Sequence, residues 1–243
     1  MQPKPRKPRA AKGSHGGLHG IVGALFSFEA LFLLFFWAGR YKAIPQLTGF
    51  PVDLTLLFLV ASLAAAVIVV FREVDAIKAV RDKAVVFYIL FLLWIVTTYF
   101  WSSQLGENKE KLTYTLTLLT WSFLGTYIII SSSEERVRRF VSLIMVFSAL
   151  MILYWFYIKF ALGIDINNSA SPVVGPNYLG YGENALCLYL GFFALALKYR
   201  RASVVFLSII GMAVMLLIMM SLGGKGPLLL ALLAPALMAL WIL

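Results

Sequence analysis

Polar chemistry is scarce in this chain. It has one cysteine, Cys187, which excludes an intramolecular disulfide and, lying in an apolar run, says nothing of redox compartment. There are two histidines, His15 and His19, spaced i, i+4. Glycines surround them and no third ligand is near, so they do not make a metal site, which needs three or four convergent donors. Charged residues are 13% of the sequence, against about 25% in a soluble domain. No repeat of fixed period occurs and no Gly-x-x-x-Gly pair falls inside an apolar run, so inverted-repeat transporter logic gains nothing.

What is abundant is apolar surface. Hydrophobic residues make up 61% of the 243, and the mean hydropathy is +0.89. A span needs about 20 apolar residues, and the runs fall at 21–38, 54–71, 84–101, 112–131, 140–162, 184–197 and 202–220. An eighth begins at Leu228 and runs to Leu243 without a closing loop, as in a chain cut short. The expected fold is all-α, a polytopic transmembrane helix bundle of about seven complete spans plus this eighth. Residues 1–20, with Lys4, Arg6, Lys7, Arg9 and Lys12 and no acid, form a disordered basic tail. Residues 21–243 form the transmembrane domain. The first apolar run ends in Gly39-Arg40-Tyr41-Lys42 rather than small residues, so it reads as a retained span and not a cleaved signal.

The net charge of +10 could suggest nucleic acid, but its distribution points to lipid. Fifteen of the 21 Lys and Arg fall in residues 1–20, 72–83, 132–139 and 198–201. These are alternate connections, and the bias predicts a cytoplasmic N-terminus with the basic side against anionic headgroups. The remaining six, Arg40, Lys42, Lys109, Lys111, Lys159 and Lys225, fall on the other side. The partner is therefore the lipid bilayer, with no nucleic acid. The connection REVDAIKAVRDK, residues 72–83, carries mixed charge and reads as a solvated linker.

Three polar features stand out. Ser221-Leu222-Gly223-Gly224-Lys225-Gly226-Pro227 is an island between two apolar runs. Its glycines let backbone N–H groups turn toward an anion and Lys225 adds a charge, which makes a plausible phosphate seat. The spacing is not that of a Walker loop, and a short turn with a snorkelling Lys225 accounts for the same residues. Glu29, near the middle of the first span, must face the protein interior. It is either a cation partner or proton acceptor, or a structural tie to another span. Residues 163–182, GIDINNSASPVVGPNYLGYG, form a loop whose Asn177 and Tyr178 suit sugar hydroxyls. Turn chemistry ahead of a helix, with Glu183 near its N-terminus, explains them equally. The Met-rich MAVMLLIMM is adaptable packing or lipid-facing surface, and Thr113, Thr115, Thr117 and Thr120 can bond to helix carbonyls.

Taken in order, these features resemble the bacterial O-antigen ligase and O-antigen polymerase proteins. The resemblance runs from about Ala84. It rests on Tyr99-Phe100-Trp101-Ser102-Ser103 closing a span, the turn Ser133-Glu134-Glu135-Arg136-Val137-Arg138-Arg139-Phe140, the Gly175-Pro176-Asn177…Leu179-Gly180 loop, and the island continued through Leu228-Leu229. It implies a protein of the bacterial cytoplasmic membrane that handles undecaprenyl-diphosphate-linked glycans in lipopolysaccharide and cell-envelope polysaccharide biosynthesis. Such a protein works beside other polysaccharide-assembly membrane proteins, as a membrane glycosyltransferase with no metal or nucleotide cofactor. Cations would stabilise the diphosphate and a base would activate the acceptor hydroxyl. Lys225, with Gly223, Gly224 and Gly226, matches the family's basic signature. The expected base falls in a later loop, so the catalytic residues are not assigned, and Glu183 stands where the family commonly has a basic residue. Two alternatives remain. One is a transporter of a lipid-linked or small anionic substrate, which requires Glu29 and Lys225 to line one cavity. The other is a non-catalytic accessory membrane subunit.

Overall fold

The structure, a computed structural model, describes residues 26–42, 44, 47, 49–73, 83–101, 109, 112–163, 178–199 and 201–242. It is all-helical, with no strand among the described residues. The helices are α1 (Phe28–Phe36), α2 (Ala38–Tyr41), α3 (Leu54–Glu73), α4 (Lys83–Phe100), α5 (Leu112–Ser132), α6 (Glu134–Phe156), α7 (Tyr178–Lys198), α8 (Ala202–Leu222) and α9 (Lys225–Ile242). Six of them, α3 to α8, are long and apolar enough to cross a membrane. The first and last apolar runs, expected as a span and a partial span, appear as the nine-residue α1 and as α9, and residues 21–25 lie outside the described residues. The basic tail 1–20 with His15 and His19, and most of the 72–83 connection, also lie outside them.

Polar residues at the ends of the apolar runs set where the helices start. Ser27 caps α1 by accepting from Ala30 N–H at 3.3 Å, and Asp53 caps α3 by accepting from Thr55 N–H at 2.7 Å. Ser133 caps α6 by accepting from Arg136 N–H at 3.3 Å, with Glu134 and Glu135 in the first turn, where acids suit the helix dipole. The segment expected as a turn, residues 133–140, is therefore the opening of α6, and Ser133 alone separates α5 from α6. Likewise α7 begins at Tyr178, so the glycine-rich stretch 180–182, expected as loop, is helix.

Two larger cores hold the described bundle, beside a small cluster of Ala38, Tyr41 and Leu54. Phe28, Phe32 and Phe35 of α1 pack with Ala66 of α3 and with Ile129 and Ile130 of α5. Trp155 of α6 packs with Tyr181 and Ala185 of α7, Met219 and Leu222 of α8 and Ala231 of α9. Helix α6 joins the two, because it contacts both α1 and α7. Part of the Met-rich run is thus core, Met215 and Met219, while Met220 faces outward.

Helix α5 is irregular. Wide π-turns occupy Thr115–Leu119 and Gly125–Ile129, and hydroxyls bond back to the preceding turn from Thr117 to Thr113 O at 2.6 Å and from Ser122 to Leu118 O at 2.8 Å. Trp121 Nε1 donates to the buried Ser62 Oγ at 3.0 Å, tying α5 to α3. Helix α4 attaches mainly through Tyr88, whose ring stacks on Phe123 at 4.0 Å and whose hydroxyl meets Thr120 Oγ1 at 3.3 Å. Val85 is also buried, but many of the helix's other apolar side chains, Phe87, Leu90, Leu93 and Trp94 among them, are exposed, as suits a lipid-facing helix.

Candidate functional site

Helix α1 breaks at Trp37 and restarts as α2, which swings Arg40 toward the start of α7. The Arg40 guanidinium lies over the Trp37 ring at 4.3 Å, donates from Nη1 to Asn184 Oδ1 at 3.2 Å, and pairs through Nη2 with the Glu183 carboxylate. Asn184 is fully buried. Its Oδ1 also faces the Ser148 hydroxyl of α6 at 3.4 Å, and its Nδ2 donates to Gly180 O at 2.9 Å. The amide is thus used on both sides and fixes Arg40 in place, whereas Glu183 stays half-exposed. Burial lowers the Arg40 guanidinium from its ordinary range, and the neighbouring Glu183 charge opposes that shift. Beside it opens a cavity of about 350 Å3 whose lining includes Trp37, Arg40, Thr55, Tyr114 and Ser122.

The island meets this end of the bundle. Only Gly223 and Gly224 are non-helical; Ser221 and Leu222 close α8, and Lys225, Gly226 and Pro227 open α9. Gly223 takes the left-handed conformation (φ 69°) that ends α8, its N–H donating to Met220 O at 3.2 Å. A Cβ on Gly182 would stand 3.2 Å from Pro227 Cγ, so absence of a side chain there lets α7 and α9 approach. Glu183, the next residue, reaches Arg40. Alongside them the Tyr181 hydroxyl is buried with no hydrogen-bond partner among the described residues.

Lys225 is exposed in the first turn of α9 and makes no ion pair among the described residues. Gly224 is buried with ordinary room for a methyl group, and Gly226 faces open space, so the backbone requirement for glycine rests on Gly223. Asn177 and the Tyr178 side chain lie outside the described residues.

Glu29 sits elsewhere. It was expected near the middle of a span, but Ser27 ends the helix just before it, so Glu29 occupies the first turn of α1. It is fully buried, 2.8 Å from Arg136 Nη1 and 3.6 Å from Arg139 Nη1, both from α6. Ser148, level with the Arg40 cluster, lies about 18 Å further along α6 at roughly 1.5 Å per residue. The cavity holding Glu29 is lined by Arg72, Arg136 and Arg139 and does not include Lys225. Among the described residues, Glu29 and Lys225 therefore do not meet in this cavity.

Comparison adds no relative. No protein-family model matches the chain, and no curated protein or solved structure matches it either.

Sequence reasoning passed over Arg40. Its signal was positional: it falls on the same side as Lys225 and the 163–182 loop in the charge count, but nothing in the local pattern tells that a helix break turns it toward α7. Glu183, which looked like a loss of positive charge from the anion-binding set, has an arginine beside it from another helix.

Proposed function

We propose that this chain is an O-antigen ligase- or polymerase-like protein of the bacterial cytoplasmic membrane, handling undecaprenyl-diphosphate-linked glycans at its exoplasmic face. The observation that carries the reading is the contact between Gly182 and Pro227. It brings the residue at the end of the glycine-rich segment, two positions after the Gly175–Gly180 motif, against Pro227 of the Lys225 island, and the two are far apart in sequence. In this reading Lys225 and Arg40 attract the diphosphate, the bare backbone at Gly226 allows close approach, and Trp37 and Tyr114 line an adjoining cavity where a sugar ring can stack. Glu183 holds Arg40 in position and sets the charge balance of the site.

The test is binding by the full chain in lipid nanodiscs, titrated with an undecaprenyl-diphosphate-linked glycan. Loss of a charged hydrogen-bonding group is worth about 1.5–3 kcal/mol, so Lys225→Met and Arg40→Met should each weaken binding about tenfold or more. Lys225→Arg should retain most of it, because charge and phosphate-binding geometry survive. Parental affinity in both methionine variants, with the fold intact, would reject the assignment.

A further inference from the structure

At the opposite end of the bundle, the cavity around Glu29 measures about 410 Å3 and is lined by Ser27 and Glu29 of the α1 end, Arg72 of α3, and Arg136 and Arg139 of α6. We infer that it is a binding site for a phosphate ester, supplied in the membrane by the headgroup of an anionic phospholipid. Among the described residues that line it, three guanidinium groups face one carboxylate. Glu135, which pairs with Arg139 at 2.9 Å, is an exposed second acid and still leaves a positive excess. Glu29 fixes Arg136, while Arg72 lines the cavity and makes no ion pair among the described residues. The Ser27 oxygen accepts from Ala30 N–H, which leaves its proton for a phosphate oxygen.

Two features favour a lipid over a free phosphate. The rim carries Phe26 and Ile68, 73% and 54% exposed, so an acyl chain would continue from the cavity along the apolar face of α3. Glu29 Oε2 is buried in the cavity wall 3.6 Å from Arg139 Nη1, too far for a hydrogen bond, and has no hydrogen-bond donor among the described residues. A headgroup hydroxyl, as on glycerol, would donate to it while the phosphate meets the arginines.

The experiment measures thermal stabilisation and lipid adducts in native mass spectra of the full chain in neutral detergent. The probes are phosphatidylglycerol, phosphatidylcholine and inorganic phosphate. Phosphatidylglycerol should stabilise the protein and stay bound, with affinity about tenfold lower in Arg72→Met, as loss of one charged contact predicts. Arg138→Gln removes an equal charge from α6, at the same end of the bundle, but does not line the cavity, and should bind as the parent does. Equal weakening by both variants would reduce the effect to non-specific surface charge and overturn the site. Equal stabilisation by inorganic phosphate alone would overturn the lipid source and assign the cavity to a soluble phosphate. Binding of phosphatidylcholine as tight as phosphatidylglycerol would overturn the requirement for an anionic headgroup.

Discussion

Glu29 and Arg136 illustrate how a charge survives inside an apolar protein. Neither could be buried alone, because an uncompensated charge in a low-dielectric interior is costly. They come from first turns of different helices and meet side by side. Glu29→Gln keeps the shape but removes the buried charge that Arg136 and Arg139 share, so it should destabilise the fold by about 3–5 kcal/mol, as breaking a buried pair does. Replacing Glu29 and Arg136 by methionine should cost much less, since an apolar pair of similar volume needs no compensation. Thermal unfolding of the two single variants and the double variant in one detergent gives the coupling directly. Additive losses would mean that the two side chains act independently.

Among the elements, α3 shows how an exposed cap governs a long apolar helix. The Asp53 carboxylate accepts from Lys42 Nζ at 3.0 Å and from Thr55 N–H at 2.7 Å, and these contacts, the Lys42 bond first, hold its pKa below the usual carboxylate range. The contribution of such a group is present above its unfolded pKa and is lost as pH falls through the lower folded value. Amide exchange in the first turn of α3 should therefore stay slow down to the usual carboxylate range and quicken only below it. Asp53→Asn should remove that acid-dependent step, and an unchanged step would place it at another group. Hydropathy made most helices legible, since a run of apolar residues has no other way to satisfy its backbone in lipid. Its errors came at ends and at contacts. Charged first turns hid the start of α6 at Glu134 although Ser133 and two acids were a cap signal, and glycines hid the start of α7. Lys225 was legible as a charge in an apolar setting. The place of Arg40 was not, because it depends on a break at Trp37 and on Asn184, far away in sequence.

For the whole molecule, the two polar clusters lie at opposite ends of the described bundle, and their charges differ in kind. One end gathers Arg72, Arg136 and Arg139 around a single buried acid; the other pairs Arg40 with Glu183 and leaves Lys225 exposed. In the sequence, fifteen of 21 basic residues fall on the alternate connections that include the 132–139 segment of this first end. A membrane sorts such a bundle by that asymmetry, retaining arginine-rich connections on the cytoplasmic side. Reporter fusions at Arg138 should therefore behave as cytoplasmic and fusions at Lys109 and Lys225 as exoplasmic. The same orientation would put the arginine cavity against the cytoplasmic leaflet and the Lys225 turn against the compartment where lipid-linked glycans are used. A cytoplasmic signal at Lys225 would separate that turn from its proposed substrate, since the two clusters cannot exchange sides without turning over every helix between them.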